Sequence, residues 1–218
     1  MNTKNKILQA SLELFNEEGE QDITAVDIAN VLEMSPGNLY YHFKGKDPII
    51  HKLFIDFEKD FKSVLQAPIE APLELADNWV YFYILFEAVA NFRFFYRNQQ
   101  SLIERYVDLE PRFRSLIQIK INAMASIIDG LNQQNFIAIS EPEAEQMAQR
   151  FAQQLTYWPI FHRVMTPTTS LPIAIHHGVY NMIIQLAPHV SAGSNEFLQL
   201  ITEFRDKMLS TFQHKNNQ

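Results

Sequence analysis

Cysteine is absent from this chain of 218 residues, and glycine is scarce, with six in all. Without cysteine the chain can form neither a disulfide nor a cysteine-ligated zinc site, and it has no thiolate nucleophile. No long apolar run occurs, so we expect no membrane-spanning helix and no membrane partner. The N-terminus lacks the apolar stretch and cleavage site of a signal peptide, so we expect a cytoplasmic protein. Apolar residues nevertheless make up 47% of the chain, enough for a substantial buried core.

Apolar residues recur at helical spacing through most of the chain, and the alternating pattern of strands is scarce. The sequence therefore predicts an all-α fold. A proline-containing segment, Ala67-Pro68 to Ala71-Pro72, indicates a boundary. It divides the chain into an N-terminal domain 1–47, a connecting helix 48–66 and a larger helical domain 67–218. The predicted helices cover about residues 3–18, 24–32, 36–42, 48–64, 73–97, 99–108, 110–134, 141–165, 171–187 and 195–213.

Two short predicted helices near the N-terminus are separated by a three-residue turn. Thr24 with Asp27 forms a capping-box-like start to the first, and Ser35 followed by Pro36 forms a capped start to the second. A longer predicted helix precedes this pair and another follows it. This is the outline of a helix-turn-helix held in a small helical bundle, which predicts DNA binding.

The start of the second short helix carries small and polar residues that suit contact with DNA. Gly37 lets the backbone approach closely, and the Asn38 amide can pair with an adenine edge. Helix N-termini also favour phosphate, through their free N–H groups and dipole. The neighbouring candidates for phosphate contact are the neutral donors Thr24, Ser35, Tyr40 and His42 and the charged Lys44 and Lys46.

The N-terminal segment resembles the DNA-binding domain of the TetR/AcrR family of bacterial regulators. The matching residues are Ile7-Leu8, Ala10, Leu14-Phe15, Gly19, Thr24, Ile28-Ala29, the run Ser35-Pro36-Gly37-Asn38-Leu39-Tyr40-Tyr41-His42-Phe43, and Lys46. The resemblance implies an all-helical homodimer with a larger C-terminal domain for ligand binding and dimerisation. By position it implies base reading by Gly37 and Asn38 and a phosphate clamp at Lys46. It places Thr24, Ser35, Pro36, Tyr40 and His42 at the DNA, while Tyr41 could contact DNA or pack in the core.

Two features depart from what the resemblance implies. Glu33 stands in the turn where the family usually has glycine, and a left-handed backbone there would cost about 1–2 kcal/mol. Residues 1–66 also contain seven lysines, no arginine and eleven acidic residues, a net formal charge of −4. Because non-specific affinity comes from phosphate neutralisation, we expect it to be modest.

Aromatic residues are concentrated in the second part of the chain, and helix 73–97 is apolar on more than one face. Most of these side chains must be core, but the pattern also suits a pocket for a small hydrophobic effector. The candidate pocket residues are Phe86, Phe95, Tyr106, Phe113 and Phe151. Arg93, Arg97, Glu104 and Arg105 form either a solvated ion-pair group or an anchor for an anionic end of the ligand.

Late helices 141–165 and 171–187 are the predicted dimer interface, with helix 195–213 as the rival. Ala174 and Gly178 lie four residues apart, which allows a close helix crossing, and Pro159 should kink the first of these helices. The candidate interface residues are Met147, Phe151, Leu155, Trp158, Ile175, Gly178, Val179 and Met182. The histidines His162, His176 and His177 have poor spacing for a metal, so we expect none.

The predicted function is a ligand-responsive transcriptional regulator, and the resemblance favours a repressor that a small apolar effector releases from a palindromic operator. Its partners would be double-stranded DNA and a second copy of the chain. No enzyme motif is present, and we expect neither catalytic activity nor a cofactor. The alternative is a ligand-independent architectural or protein-interaction helical protein.

Overall fold

The computed structural model describes residues 2–70, 75–191 and 193–215, and the regular structure within these ranges is helical apart from one isolated bridge between Ile137 and Val190. The predicted all-α fold is confirmed. The α-helices are α1 (Thr3–Glu17), α2 (Ala25–Val31), α3 (Pro36–His42), α4 (Lys46–Glu70), α5 (Leu75–Asn91), α6 (Arg93–Arg97), α7 (Gln99–Arg105), α8 (Leu109–Gln133), α9 (Glu141–Met165), α10 (Leu171–Ile183) and α11 (Ser194–Lys215), with a 3-10 helix Ile184–His189 after α10.

Local capping starts α2 and α3 as predicted. The Thr24 side chain accepts from the Asp27 backbone while the Asp27 carboxylate accepts from the Thr24 backbone, which starts α2. Ser35 caps α3 by accepting from the Asn38 N–H at 3.2 Å. Phe15, on α1, is fully buried with α2 and α3 apolar residues, and this small core holds the helix-turn-helix together.

The connecting helix α4 differs from its prediction at both ends. It begins at Lys46 and continues through Glu70, whereas the predicted range was 48–64. Pro48 is tolerated in the first turn because the leading N–H groups of a helix have no intrahelical partner. The predicted break at Ala67-Pro68 is wrong for these two residues, since a proline in the last turn removes only one backbone bond. Residues 71–74 of that segment lie outside the described residues.

Predicted helix 73–97 is two helices, α5 and α6, which separate at Phe92. No proline or glycine marks this break. It is made by the buried Asn16 of α1, whose amide nitrogen donates to the Asn91 carbonyl at 2.7 Å and whose oxygen accepts from the Phe94 N–H at 3.1 Å. Asn16 thus satisfies one backbone group at the end of α5 and one at the start of α6.

The remaining helices form the larger C-terminal bundle. α8 packs against α4 and α9, and α10 packs against α5 and α11. α9 follows its predicted range, whereas α10 ends at Ile183 and passes into the 3-10 helix. Within the described ranges, no helix is both long enough and apolar enough to cross a membrane.

Candidate nucleic-acid interface and effector core

The N-terminal end of α3 is open to solvent. Ser35, Pro36, Gly37 and Asn38 are all exposed, while Leu39 turns inward and is 1% exposed. A Cβ on Gly37 would meet nothing nearer than the Ser35 hydroxyl oxygen at 4.0 Å, so the surface at this point is flat and unobstructed. A short helix with a bare, polar N-terminus and a buried anchor has the form needed to enter a major groove.

Aromatic side chains continue the exposed side of α3. Tyr40 is 55% exposed and Tyr41 is 78% exposed, so Tyr41 is not a core residue. His42 is half-buried and its ring packs edge-on against Tyr41. The ammonium of Lys44 lies 4.9 Å from the centroid of the Tyr40 ring and stays exposed. These four side chains provide hydroxyl, imidazole and ammonium donors beside the N-terminal part of α3.

The side chains of Thr24 and Lys46, both predicted to contact phosphate, already have hydrogen-bond or ion-pair partners within the chain. The Thr24 hydroxyl donates to the Asp27 carboxylate at 2.5 Å, which also holds the pKa of Asp27 below its usual value. The Lys46 ammonium is mostly buried, lies 3.2 Å from the Glu20 carboxylate and donates to the Glu20 carbonyl at 2.6 Å. A phosphate contact by either side chain would have to compete with these internal partners.

Glu33 adopts the left-handed backbone conformation that its place in the turn suggested. Its φ is +51°, and the turn is closed by hydrogen bonds from Glu33 N–H to Asn30 C=O and from Met34 N–H to Ala29 C=O, both at 3.0 Å. The Glu33 side chain is exposed and carries a Cβ in a region that favours glycine. The turn geometry is therefore kept at a cost in backbone strain.

A buried carboxylate joins the helix-turn-helix to the C-terminal bundle. The Glu20 side chain, just after α1, is fully buried and accepts from the Arg105 guanidinium of α7 at 2.6 Å as well as pairing with Lys46 at the start of α4. Beside it, the Tyr106 hydroxyl donates to Asp47 at 2.8 Å. The arginine-rich cluster predicted around α6 and α7 thus contributes, at Arg105, a partly exposed ion pair that joins the two parts of the chain.

The five predicted pocket residues are buried, but they do not line a common surface. Phe95 and Phe113 belong to a ring cluster with Phe54 of α4. Phe86 packs against Trp158, Phe151 packs against Phe82, and Tyr106 lies at the Asp47 junction. An extended aromatic group lies along α4, where Phe57 contacts Phe61, Phe92, Tyr96 and one predicted pocket residue, Phe95.

The predicted interface residues of α9 and α10 pack inside the chain. Apart from Gly178, the seven predicted interface residues are between 0% and 7% exposed. A Cβ on Gly178 would come within 2.9 Å of the Trp158 ring nitrogen and 2.8 Å of the Phe86 ring. The close crossing at Gly178 is therefore intramolecular. The accessible face of α9 carries other apolar residues, Tyr157, Ile160, Phe161, Val164 and Met165, beside a groove of about 860 Å³ between α9 and α10. The assignment of the dimer interface to α9 and α10 stays a prediction, but side chains other than the predicted ones would form the contact.

Sequence reasoning missed Glu20 as a buried partner and Lys120 as a buried cation. Lys120 is 1% exposed and lies on the inner stripe of α8, between Leu116 and Ala123. That spacing placed it on an apolar helical face, so the periodicity contained a signal for it. Glu20 had no such signal, because its partner Arg105 lies eighty-five residues away.

Comparison with known proteins agrees with this architecture. Residues 7–53 match the family described as bacterial regulatory proteins of the tetR family, and residues 56–198 match a TetR family described as a bacterial transcriptional repressor. A TetR-family transcriptional regulator from Marinobacter aquaeolei VT8 is 31% identical, with a TM-score of 0.81 over 95% of this chain and 99% of that chain. The chain therefore belongs to the TetR family of bacterial transcriptional regulators, whose members are DNA-binding proteins with a helix-turn-helix.

Curated relatives match over shorter lengths. The HTH-type transcriptional regulator QacR of Staphylococcus aureus is 33% identical over 109 residues, which is 50% of this chain and 56% of that protein. The HTH-type transcriptional regulator UidR of Escherichia coli K12 is 31% identical over 68 residues, 31% of this chain and 35% of that protein. These matches thus span about half or less of the curated relatives.

Proposed function

We propose that this protein is a dimeric repressor that a small, largely apolar effector releases from a palindromic operator. The observation that carries the proposal is the exposed and capped N-terminal end of α3, with Gly37 and Asn38 unobstructed. In a dimer the two α3 helices would lie one DNA turn apart, about 34–36 Å or a multiple of it.

In this proposal Asn38 reads a base edge while the backbone at Gly37 approaches the groove. Ser35 and Pro36 bring the helix N-terminus to a phosphate, and Tyr40, Tyr41 and His42 hold adjacent backbone positions. We assign the charged phosphate contact to Lys44 instead of Lys46, because the Lys44 ammonium is exposed whereas that of Lys46 is held by Glu20.

The effector would occupy the aromatic region between α4 and the C-terminal bundle. α4 places Phe54, Phe57 and Phe61 in that region and begins at Lys46, four residues after α3 ends at His42. An effector that displaces α4 would therefore shift the spacing of the two readers. A coupling of about 1–3 kcal/mol between effector and DNA, or about 5–150-fold in affinity, is sufficient for regulation.

The dimer would form through the accessible face of α9 and α10. Phe161 is 62% exposed and Val164 is 72% exposed, a large apolar surface for a lone chain to leave in water. Apolar surface of this kind next to a groove is typical of a protein–protein contact.

Electrophoretic shift with the DNA upstream of the protein's own gene tests the DNA half of the proposal. Asn38→Ala should relax the preference for the specific site by about 5–150-fold, the equivalent of about 1–3 kcal/mol for one base contact. Lys44→Ala should weaken specific and unrelated DNA alike. Asn195→Ala and Lys59→Ala are matched surface controls far from α3 and should bind as the unmodified protein does. An unaltered site preference in Asn38→Ala would refute the assigned reading role.

Analytical ultracentrifugation tests the dimer half. Phe161→Glu should give monomers that lose operator binding, whereas Leu200→Glu, an apolar position on α11 that is 52% exposed, should stay dimeric. The reverse outcome would place the interface on α11. DNA binding that no small molecule releases would favour a ligand-independent architectural role.

A further inference from the structure

Lys120 is buried inside the C-terminal bundle. Lys120 of α8 is 1% exposed, and its ammonium lies 5.1 Å from the ring centroid of Phe61 on α4 and 4.7 Å from that of Tyr96 on α6. It donates to the Thr156 hydroxyl of α9 at 3.0 Å and to the Tyr96 hydroxyl at 3.2 Å. Four helices therefore converge on one cationic group.

The immediate partners of Lys120 are neutral. Of the residues that the structure describes, none supplies a carboxylate that pairs with this ammonium. Burial lowers the pKa of Lys120 to about 7, with no opposing contribution from a neighbouring charge. An unpaired buried cation is costly for a fold, and a cost of this kind concentrates at binding sites.

The hydrogen bonds around Lys120 leave two donors available side by side. The Thr156 hydroxyl gives its own proton to the Ala152 carbonyl at 2.7 Å, so its role is to hold the ammonium in place. The Tyr96 hydroxyl accepts from Lys120, and this is the one hydrogen bond that it makes with the described residues, so its own proton is available. An ammonium has three N–H donors, of which the hydroxyls of Tyr96 and Thr156 use two. A third N–H of Lys120 and the O–H of Tyr96 thus lie on atoms 3.2 Å apart.

We propose that Lys120 and Tyr96 bind the carboxylate of the effector, one donor to each of its oxygens, while its apolar remainder lies against the phenylalanines of α4. The inference rests on the proposed function, because it names the chemical class of the effector in the same aromatic region. A carboxylate is the acceptor that completes both donors and neutralises the cation. A neutral alcohol of the same shape offers one oxygen and no charge.

The position of Lys120 also connects recognition to α4. Phe61 covers the ammonium and stacks at 5.4 Å on Phe57, whose ring meets Tyr96 at 5.8 Å. A carboxylate bound to Lys120 would therefore lie beside Phe61 and close to Phe57. Since both residues belong to α4, the helix that follows α3, occupancy of the site would act on the element that positions α3.

Ligand binding by calorimetry and thermal shift tests this with octanoate, decanoate and dodecanoate, each against the primary alcohol of the same length. The unmodified protein should bind the best acid about ten- to a hundredfold more tightly than its alcohol. Lys120→Met should lose that preference and keep the alcohol affinity, and Tyr96→Phe should lose part of it. Lys59→Met, an exposed lysine on α4, is the matched control and should keep the preference.

Equal affinity for acid and alcohol, or an unchanged acid preference in Lys120→Met, would overturn the inference, as would the absence of binding by every acid tested. Circular dichroism confirms folding of each variant, and Lys120→Gln serves as a second substitution of similar length. The electrophoretic-shift assay distinguishes failure of the Lys120 inference from failure of the proposed function. Release of operator DNA by alcohols as well as acids retains the proposed function and rejects the role of Lys120, whereas no release by any compound rejects the effector part of the proposed function itself.

Discussion

Replacing Lys120 by methionine should stabilise the ligand-free protein. Methionine fills a similar volume without an ammonium, and removing a buried charge in favour of an apolar side chain is commonly worth about 1–4 kcal/mol of unfolding free energy. The lowered pKa of about 7 in the folded chain, against an ordinary value of 10.5, sets the scale. Each tenfold change in protonation corresponds to about 1.36 kcal/mol, so the protonated form is disfavoured by about 5 kcal/mol.

The same pKa fixes the pH dependence of this gain. Between pH 7 and the unfolded pKa the unfolded chain binds a proton at Lys120 that the folded chain does not, so its contribution to stability rises with pH. Below pH 7 both states are protonated and the penalty on the folded chain is constant. The advantage of Lys120→Met over the unmodified protein should therefore be largest at and below neutral pH and shrink by about 2 kcal/mol between about pH 7 and pH 9.

Urea unfolding followed by circular dichroism, at one fixed protein concentration and several pH values, measures the difference. A fixed concentration matters because association shifts the apparent stability of an oligomer. Lys59→Met should give a small difference that does not vary with pH, since this ammonium is exposed. Parallel stability curves for Lys120→Met and the unmodified protein from pH 7 to pH 9 would refute the reasoning.

Three further substitutions test features described above by the same unfolding assay. Glu33→Gly should stabilise the protein by about 0.5–1 kcal/mol, because the relief of left-handed backbone strain outweighs the larger conformational entropy that glycine loses on folding. The control Glu18→Gly, at a negative φ, should give no gain in stability. Glu20→Gln should destabilise by about 2–3 kcal/mol, less than a fully buried pair would lose because Arg105 is 43% exposed, and a neutral result would show that water replaces the carboxylate. Gly178→Ala should destabilise by about 1–2 kcal/mol through its clash with two rings, and a gain in stability would mean that helix propensity outweighs overpacking there.

The helix-turn-helix could be predicted from the sequence because its determinants are local. The capping pair Thr24 and Asp27 and the Ser35-Pro36 start specify α2 and α3 within a few residues of chain. The division between α5 and α6 could not be predicted in this way. Its cause is Asn16, which lies seventy-five residues before the carbonyl that it caps. A break made by a distant side chain leaves no mark in the local pattern.

The C-terminal domain shows the same limit for its functional residues. Helical periodicity identified the apolar faces of α9 and α10, but it could not tell a face buried against the same chain from one left exposed, and so Val179 and Phe151 were chosen over Phe161. The pocket residues were likewise chosen by residue type, although their positions in the bundle depend on tertiary packing. Lys120 is the instructive exception, because a lysine on an apolar stripe is visible before folding is known.

The distribution of charge on the N-terminal domain has a consequence for how the protein is partitioned in a cell. Of the two lysines that follow α3, Lys46 pairs with Glu20, which leaves Lys44 exposed there, within a net charge of −4 over residues 1–66. A bacterial chromosome offers on the order of 10⁶ or more competing stretches of DNA, which sequester a strongly basic regulator. Because its N-terminal segment is acidic, this chain would bind little of that competing DNA. A small number of copies could then keep an operator occupied, and the search for it would proceed by free diffusion more than by sliding along the duplex.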